Sequence, residues 1–319
     1  MMRLATVLTP MSDENLTLAA QCGVTDVVAR YPGTDLDELL RLRDRIEYFG
    51  MNLAAIEGYL PIEKLKIGQD DGTEVAAMKQ LMSNMQKVGI RWLCYNFMAG
   101  TDWVRTVLDA PERGGAKVTG FHLEDVHRAM SLSASASTIT SEPITTEQLW
   151  QNLKHFLTVL VPAAEAAGVT MCMHPDDPPL PELLGKGRIM NSVENFERLV
   201  DLVPSPSNAI CFCQGTFAAM GVDIPATIRR LGSHIQYVHF RDVKGNRESF
   251  TETFHDNGPT DMAEAMRAYQ EIGFSGPIRP DHVPQCYGED DGEPGYTMLG
   301  RLFAYGYMRG LMHATEKRG

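Results

Sequence analysis

Four side chains that commonly bind metal ions each end a short apolar run in the second half of the sequence. These are His174 after MetCysMet, Cys213 after IleCysPhe, His239 after TyrVal and Asp281 after IleArgPro. Because side chains alternate along a strand, each strand can turn its last polar residue inward. One thiolate, two imidazoles and one carboxylate suit a divalent transition ion such as Mn, Fe(II), Co or Zn. Catalysis needs open coordination positions, which favours Mn or Fe over a closed tetrahedral Zn.

Groups able to transfer protons and to bind a polar substrate stand close to these four positions in the sequence. His282 follows Asp281 directly, and Tyr296 opens the last predicted helix in the GluProGlyTyr turn. A histidine and a tyrosine near a metal ion are suited to moving protons to and from a substrate. Strand alternation directs His282 away from the metal side unless the chain turns after Asp281. Candidate substrate-binding residues are Asn96, Asp176, Arg241, His255 and Arg279.

The elements that must position these residues follow a regular order, since β-rich runs alternate with amphipathic stretches about every 40 residues. Apolar strands that alternate with helices indicate a parallel sheet covered by helices. Eight such units predict an α/β fold, a (β/α)8 or TIM barrel whose active site lies at the carboxyl ends of the strands. The predicted strands cover residues 4–9, 25–30, 52–58, 92–97, 169–174, 208–213, 235–242 and 276–281. The first predicted helix begins at Ser12 and Asp13, and the others cover residues 35–49, 73–88, 147–167, 192–202, 224–231, 260–272 and 296–313.

Residues 1–319 are predicted to form a single barrel domain, because no linker separates two independent alternating blocks. One segment, residues 98–145, breaks the alternation after the fourth strand. It contains GlyGly at 114 and 115 and a serine-rich run that is small, polar and unpatterned. We expect this segment to be an insertion or a lid.

The charge balance argues against nucleic acid and membranes as partners. With 29 basic and 41 acidic side chains the formal net charge is -12, so the average surface repels phosphate backbones and anionic lipids. No apolar run reaches the roughly 18 residues of a membrane span, and no signal peptide is recognisable, so we expect a cytoplasmic protein. The six cysteines form no CxxC pair and are typical of reduced core thiols, apart from Cys213.

Several strings of residues together resemble the mannonate dehydratase family. They are CysTyrAsnPheMet at 94–98 with AspTrp at 102–103, HisProAspAspProPro at 174–179, CysGlnGly at 213–215, ArgProAspHis at 279–282, and ProGlyTyr with GlyArgLeu at 294–302. Apart from the segment inserted after the fourth strand, the resemblance implies a xylose-isomerase-like barrel. It also implies a divalent metal ion, usually manganese. It also implies the dehydration of D-mannonate to 2-keto-3-deoxy-D-gluconate.

Carried over to this sequence, the family's metal ligands correspond to His174, Cys213, His239 and Asp281, the residues at the ends of the four predicted strands. The family's catalytic histidine and tyrosine correspond to His282 and Tyr296, and the order of acid and base between them is left open. The resemblance further implies a homo-oligomer, a dimer or a higher assembly.

The leading hypothesis is a metal-dependent dehydratase of a small sugar-acid substrate, that is, a carbon–oxygen lyase. Metal-dependent isomerisation or epimerisation of a sugar is the alternative, since the same metal and base would serve it. A non-catalytic barrel is a third hypothesis, which predicts poor metal occupancy. The sequence lacks a GxGxxG turn after a strand, a Walker A motif and a GxSxG elbow, so no nucleotide cofactor is expected.

Overall fold

A closed barrel of parallel strands forms the centre of the computed structural model, which describes residues 2–101, 103–131 and 143–316. Each strand pairs with its neighbours in the chain, and the first strand pairs with the last. This order confirms the (β/α)8 fold. The strands are β1 (Arg3–Thr6), β2 (Asp26–Arg30), β3 (Asn52–Glu57), β4 (Trp92–Tyr95), β5 (Thr170–Met173), β6 (Asn208–Cys213), β7 (Ile235–Phe240) and β8 (Pro277–Pro280).

A helix follows each strand and covers the outside of the barrel. Ser12 caps the first helix by accepting a hydrogen bond from the backbone N–H of Asn15, as its position in the sequence predicts. The barrel helices are α1 (Asp13–Gln21), α2 (Leu36–Tyr48), α3 (Thr73–Val88), α4 (Thr146–Ala167), α5 (Val193–Leu202), α6 (Ile224–Leu231), α7 (Met262–Glu271) and α8 (Met298–Thr315). Among the described residues, no helix is both long enough and apolar enough to span a bilayer.

Two apolar layers hold the barrel together. The outer layer lies between strands and helices, and α3 buries Met78, Leu81, Met82 and Met85 in it, the face that their spacing of three and four predicts. The inner layer fills the barrel with small side chains, thiols and one tyrosine: Ala5, Val7, Val28, Ala55, Cys94, Cys172, Ala209, Cys211 and Tyr237. The barrel interior is therefore a packed core, and the charged residues collect at its mouth.

A second, antiparallel sheet lies at the mouth of the barrel. Its strands are Val107–Pro111, Lys117–His122, Ser249–Glu252 and Val243–Asn246, in that order across the sheet. The first two belong to the segment 98–145, and the other two follow β7. The segment is thus joined by backbone hydrogen bonds to the β7 loop. Its role as a lid and the single-domain boundaries stay predictions, and residues 132–142 of the segment lie outside the described residues.

Several strands end earlier at the mouth than predicted: β4 at Tyr95, β5 at Met173 and β7 at Phe240. Asn96, His174 and Arg241 therefore follow their strands.

Two further boundaries decide where the candidate proton-transfer residues lie. β8 ends at Pro280, so Asp281 and His282 follow the strand. Their side chains therefore need not point to opposite faces as successive side chains of a strand do. α8 begins at Met298 with Thr297 as its N-cap, so Tyr296 precedes the helix rather than opening it. A short helix, Gln214–Ala219, starts directly after Cys213 and was not predicted.

Candidate active site

The carboxyl ends of the strands surround a cavity at the barrel mouth. Trp103, from the segment 98–145, also lines it and stands edge-on to the His174 ring at 5.6 Å between centroids. Of the residues selected from the sequence, six line the cavity: His174, His239, Arg279, Asp281, His282 and Tyr296. The site predicted at the carboxyl ends of the strands is therefore a real concave feature of the fold.

A group of three metal-binding side chains lies in this region. The donor atoms of His174, Cys213 and His239 lie within 4.8 Å of one another, and all three residues are buried. His174 donates a hydrogen bond from Nδ1 to the Pro175 carbonyl at 2.7 Å, which leaves its Nε2 lone pair for an ion. Burial opposes ionisation of the Cys213 thiol, but Arg241 and His174 hold its pKa well below the ordinary value. A thiolate and two imidazoles fit a divalent transition ion.

Asp281 borders this group. Its Oδ2 lies 3.6 Å from Cys213 Sγ, and its Oδ1 lies 3.8 Å from His239 Nδ1. Arg241 Nε and Arg279 Nη1 contact the two carboxylate oxygens at 2.6 and 2.9 Å. Burial alone would raise the pKa of Asp281, but His282 and these arginines hold it well below the ordinary value, so the group is a carboxylate. A fourth, oxygen donor is thus available beside the other three.

Glu57 holds the next set of side chains in place. It ends β3, is buried, and accepts hydrogen bonds from Tyr237 OH at 2.6 Å and from Arg279 Nη2 at 2.6 Å. His239 Nε2 lies 3.1 Å from Glu57 Oε2. When the proton of the neutral imidazole is on Nε2, the Nδ1 lone pair faces Asp281 and Arg279 Nη2, which lies 3.4 Å from it. Glu57 therefore selects the tautomer of His239.

His282 is held by a carboxylate in the same way. The chain turns after Pro280, so His282 enters the cavity beside Asp281, and the orientation expected from unbroken alternation does not apply. Its Nδ1 lies 2.9 Å from Glu252 Oε1. Glu252 is buried and ionised, because Arg241, His282 and Arg105 lower its pKa to about 2 against the opposing effect of burial. A proton on Nδ1 leaves Nε2 of His282 as a base toward the cavity.

Tyr296 lies beside His282 in the lining of the cavity. The two rings lie 5.3 Å apart in an edge-on arrangement, and the Arg30 guanidinium lies 4.9 Å from the Tyr296 ring centre. Burial and the nearby Asp281 carboxylate raise the pKa of Tyr296 above its ordinary value. The phenol is therefore protonated at neutral pH and can donate a proton or a hydrogen bond.

The chain is similar to known proteins over most of its length. A family model described as D-mannonate dehydratase matches residues 10–319. A mannonate dehydratase of Oceanobacillus iheyensis is 32% identical over 301 residues, which cover 88% of this chain and 86% of that protein. The chain belongs to the D-mannonate dehydratase family. The match begins at residue 10 and so includes α1 and the second barrel unit, which carry none of the strings that suggested the family from the sequence.

Solved structures agree with this family assignment. The crystal structure of mannonate dehydratase from Streptococcus suis serotype 2 matches with a TM-score of 0.88 at 28% identity, covering 98% of this chain and 93% of that one. An L-ribulose 3-epimerase matches with a TM-score of 0.61 at 16% identity over 99% and 96% of the two chains, and this likeness concerns the fold alone. The barrel of this D-mannonate dehydratase family member is thus of the xylose-isomerase-like kind, and the named relatives are hydro-lyases.

The candidate substrate-binding residues of this D-mannonate dehydratase family member divide into two groups. Arg279 lines the cavity, whereas the other four lie outside its lining. Asn96 accepts hydrogen bonds from Lys66 Nζ and the Met98 backbone, both at 3.0 Å. Asp176 accepts one from the Met190 backbone at 2.7 Å. These three contacts hold neighbouring segments of the chain together, and substrate binding by Asn96 or Asp176 stays a prediction.

Arg241 and His255 are also buried behind the cavity. Arg241 Nη1 and Nη2 contact Glu252 and Asp177 at 2.6 and 2.8 Å, so it holds the carboxylates around the site. His255 is fully buried near the Phe240 ring, and burial lowers its pKa to about 4. Direct contact of either residue with substrate stays a prediction as well.

Arg30, Glu57, Arg105 and Glu252 were not selected from the sequence. Glu57 and Arg30 each end a barrel strand, so the rule that selected the four metal ligands could have found them in the first half of the chain. Arg105 and Glu252 lie in short strands at the mouth, far apart in sequence, and no local pattern marks their ion pair at 2.7 Å.

Proposed function

We propose that this chain dehydrates D-mannonate to 2-keto-3-deoxy-D-gluconate and water, with a bound divalent metal ion. Membership of the family supports the reaction class. The observation that carries the proposal is the mouth cavity, where His174, His239 and Asp281 line the wall together with His282 and Tyr296. Cys213 lies outside this lining and completes the His–Cys–His donor group. Metal ligands beside a base and a proton donor are what elimination of water next to a carboxylate requires.

The proposed metal ligands are His174, Cys213, His239 and Asp281, and manganese is the proposed metal, with Fe(II), Co and Zn as alternatives. A mixed set of nitrogen, sulfur and oxygen donors accepts each of these ions. A divalent ion held there would attract the substrate carboxylate and stabilise the negative charge that develops as the neighbouring C–H bond breaks. The arginines around Asp281 supply further positive charge at the mouth.

The proton transfers are proposed for His282 and Tyr296. The proton on C2 of the sugar acid passes to Nε2 of His282, since Nδ1 is committed to Glu252. The hydroxyl on C3 leaves with the phenolic proton of Tyr296 as water; the raised pKa keeps that phenol protonated at neutral pH before the transfer. The resulting enol takes a proton from His282 at C3 and returns its hydroxyl proton to Tyr296. Both residues end in their starting forms.

Arg279 and Arg30 are the proposed partners of the substrate's negative charge and hydroxyl groups. Both line the cavity. Arg279 is fixed by Glu57 and Asp281, while Arg30 contacts Glu293 Oε1 at 2.8 Å and is one-third exposed. A guanidinium held by such contacts is preorganised for an anion, which reverses locally the repulsion expected from the acidic surface.

The test is to load the purified protein with Mn²⁺, offer D-mannonate in D2O and follow the products by NMR. We expect 2-keto-3-deoxy-D-gluconate, and the fraction of deuterium at C3 measures how far the proton held by His282 exchanges with solvent before it is returned. A panel of other hexonates and pentonates measures the preference for D-mannonate. If no acid in the panel yields a 2-keto-3-deoxy product, the proposed function is wrong, and an epimerised or isomerised product without loss of water would replace it.

Variants of the proton-transfer pair make the test residue-specific. His282→Asn and Tyr296→Phe are each expected to lower kcat by about 10²- to 10⁴-fold. Tyr307→Phe is the matched control, because Tyr307 is a half-buried tyrosine of α8 that does not line the cavity. Activity of His282→Asn or Tyr296→Phe equal to that of the control would contradict the assigned roles.

We also propose a homo-oligomer, a dimer or a higher assembly, and a cytoplasmic location. The first rests on the family alone and is checked by light scattering on the purified protein. The second is checked by fractionation of the cells that produce it. A monomer in solution would contradict the proposed homo-oligomer and would leave the proposed dehydration of D-mannonate unaffected.

A further inference from the structure

A second group of metal-binding side chains lies just inside the barrel, next to the proposed catalytic metal site. Cys94 of β4, Cys211 of β6 and His239 of β7 place their donor atoms within 4.8 Å of one another. All three are at most 1% exposed. The two cysteines belong to the packed inner layer described above, and His239 reaches from that layer to the mouth cavity.

The donor set is that of a site for a thiophilic ion. Two thiolates and one imidazole resemble the donors of Zn²⁺ sites, in which the ligand atoms lie about 3.5–3.8 Å apart for Zn–S distances of about 2.3 Å. Small rotations of the cysteine side chains would bring Cys94 and Cys211 within that spacing. When the ion binds, both thiols lose their protons, and the two thiolate charges balance the charge of the divalent cation. The net charge of the site in the apolar interior is therefore zero both before and after binding.

A disulfide is the other use that two adjacent thiols could have, and the topology argues against it. β5 lies between β4 and β6 in the barrel. Strands separated by a third strand are about 9–10 Å apart, beyond the roughly 7 Å that a disulfide spans between Cα atoms. An ion bridges two sulfur atoms over a longer backbone distance than an S–S bond does.

We propose that Cys94, Cys211 and His239 form a second, sulfur-rich site for a thiophilic d10 divalent cation, such as Zn²⁺ or Cd²⁺, and that its occupation inhibits the enzyme. The site would use the Nε2 side of His239, which now faces Glu57 at 3.1 Å, while Nδ1 faces Asp281 at 3.8 Å. An ion at the sulfur site therefore breaks the contact that orients His239 for the catalytic ion. The inhibition rests on the proposed function, whereas the binding does not.

The experiment measures metal binding and inhibition separately on the Mn-loaded full-length protein. Cd²⁺ alone is added, and bound cadmium is counted by elemental analysis together with the ultraviolet thiolate-to-metal absorption. We expect the double variant Cys94→Ala, Cys211→Ala to bind one equivalent of Cd²⁺ fewer than the natural chain and to lose the corresponding absorption. This readout needs no substrate and no activity, so failure of the proposed dehydratase function leaves it intact.

In the activity assay, each protein is compared with its own uninhibited rate. The Zn²⁺ concentration that halves the rate is expected to rise by at least about tenfold in the double variant. Cys172→Ala is the matched control, because Cys172 is an inner-layer thiol paired with Cys94 in the adjacent strand but outside the three-residue group. It should keep the half-inhibitory concentration of the natural chain.

Equal cadmium binding and equal inhibition in the natural chain and the double variant would overturn the proposal, as would the same loss in Cys172→Ala. If the double variant does not fold, the single variants Cys94→Ser and Cys211→Ser replace it, and each must lose the Cd²⁺ equivalent. Circular dichroism and the melting temperature verify folding before any comparison.

Discussion

Two buried carboxylates each hold one imidazole of the candidate active site. Glu57 contacts Nε2 of His239, and Glu252 contacts Nδ1 of His282, at 3.1 and 2.9 Å. In each case the carboxylate fixes which ring nitrogen carries the proton and so which one is free. The nitrogen that the carboxylate does not contact is Nδ1 in His239, a proposed metal ligand, and Nε2 in His282, the proposed base.

Glu252→Gln tests the contact to His282. The amide keeps the size of the side chain but can present its N–H to Nδ1, which would favour the wrong tautomer and remove a negative charge that stabilises the protonated ring. We expect kcat with D-mannonate to fall by about 10²- to 10⁴-fold while KM changes little. Glu248→Gln, an exposed position in the same hairpin, is the control. Equal kcat for the two variants would show that Glu252 does not position the base.

His255 makes the stability of the protein depend on pH. Burial lowers its pKa to about 4, from an ordinary value of 6.5. Between these two values the unfolded chain binds a proton that the folded chain does not, so stability from this group is fully present above pH 6.5 and is lost as pH falls toward 4. The loss approaches about 3 kcal/mol.

His255→Phe removes this titration and should flatten the pH dependence. We expect the unfolding free energy, measured by urea denaturation, to fall less steeply between pH 6.5 and pH 4 than in the natural chain. The difference in slope should approach about 1.4 kcal/mol per pH unit for one proton. His127→Gln, at an exposed histidine, should keep the original slope. Unchanged slopes in both variants would mean that His255 is protonated in the folded state.

At the scale of elements, the mouth sheet and the barrel are joined through buried ion pairs. Arg105 comes from the segment after β4 and contacts Asp177 at 2.8 Å and Glu252 at 2.7 Å. Arg241, just after β7, contacts the same two carboxylates. The segment 98–145 is therefore held at the site by buried ion pairs as well as by backbone hydrogen bonds.

Arg105→Met is expected to destabilise the protein strongly, because it leaves two buried carboxylates with one arginine between them. The expected loss in unfolding free energy is about 3–5 kcal/mol, measured by denaturant titration. Lys117→Met is the comparison, since Lys117 pairs with Asp290 on the surface with both side chains largely exposed. That variant should lose less than about 1 kcal/mol. Similar losses in the two variants would show that the buried network does not carry stability.

At the scale of the whole molecule, removal of the metal ion should affect both activity and stability. Two of its proposed ligands lie in β6 and β7, and the other two are the residues that directly follow β5 and β8, so a bound ion links half of the barrel. We expect dialysis against a chelator to abolish dehydration and lower the melting temperature, and Mn²⁺ to restore both. At a metal concentration 100 times Kd the stabilisation is about 2.7 kcal/mol. An unchanged melting temperature and rate after verified metal removal would exclude a metal-dependent enzyme.

The sequence predicted the barrel and most of the lining of its mouth, for reasons that are local. Alternating strands and helices repeat along the chain, and polar residues such as Cys213 and His239 interrupt apolar strands. The positions of His282 and Tyr296 depend instead on where β8 ends and α8 begins, which differ by a residue or two from the pattern. Partners such as Arg105 and Glu252 meet only through tertiary packing, so no local pattern reveals them.

The contact between Arg105 and Glu252 has a consequence for the order in which the molecule assembles. The two residues are 147 positions apart in the chain, and Glu252 reaches His282 from a hairpin of the mouth sheet. Closing so long a loop is costly until the intervening barrel strands have paired. A refolding chain can therefore gather its metal ligands on neighbouring strands before its base is oriented. Catalytic competence is the last property such a chain regains.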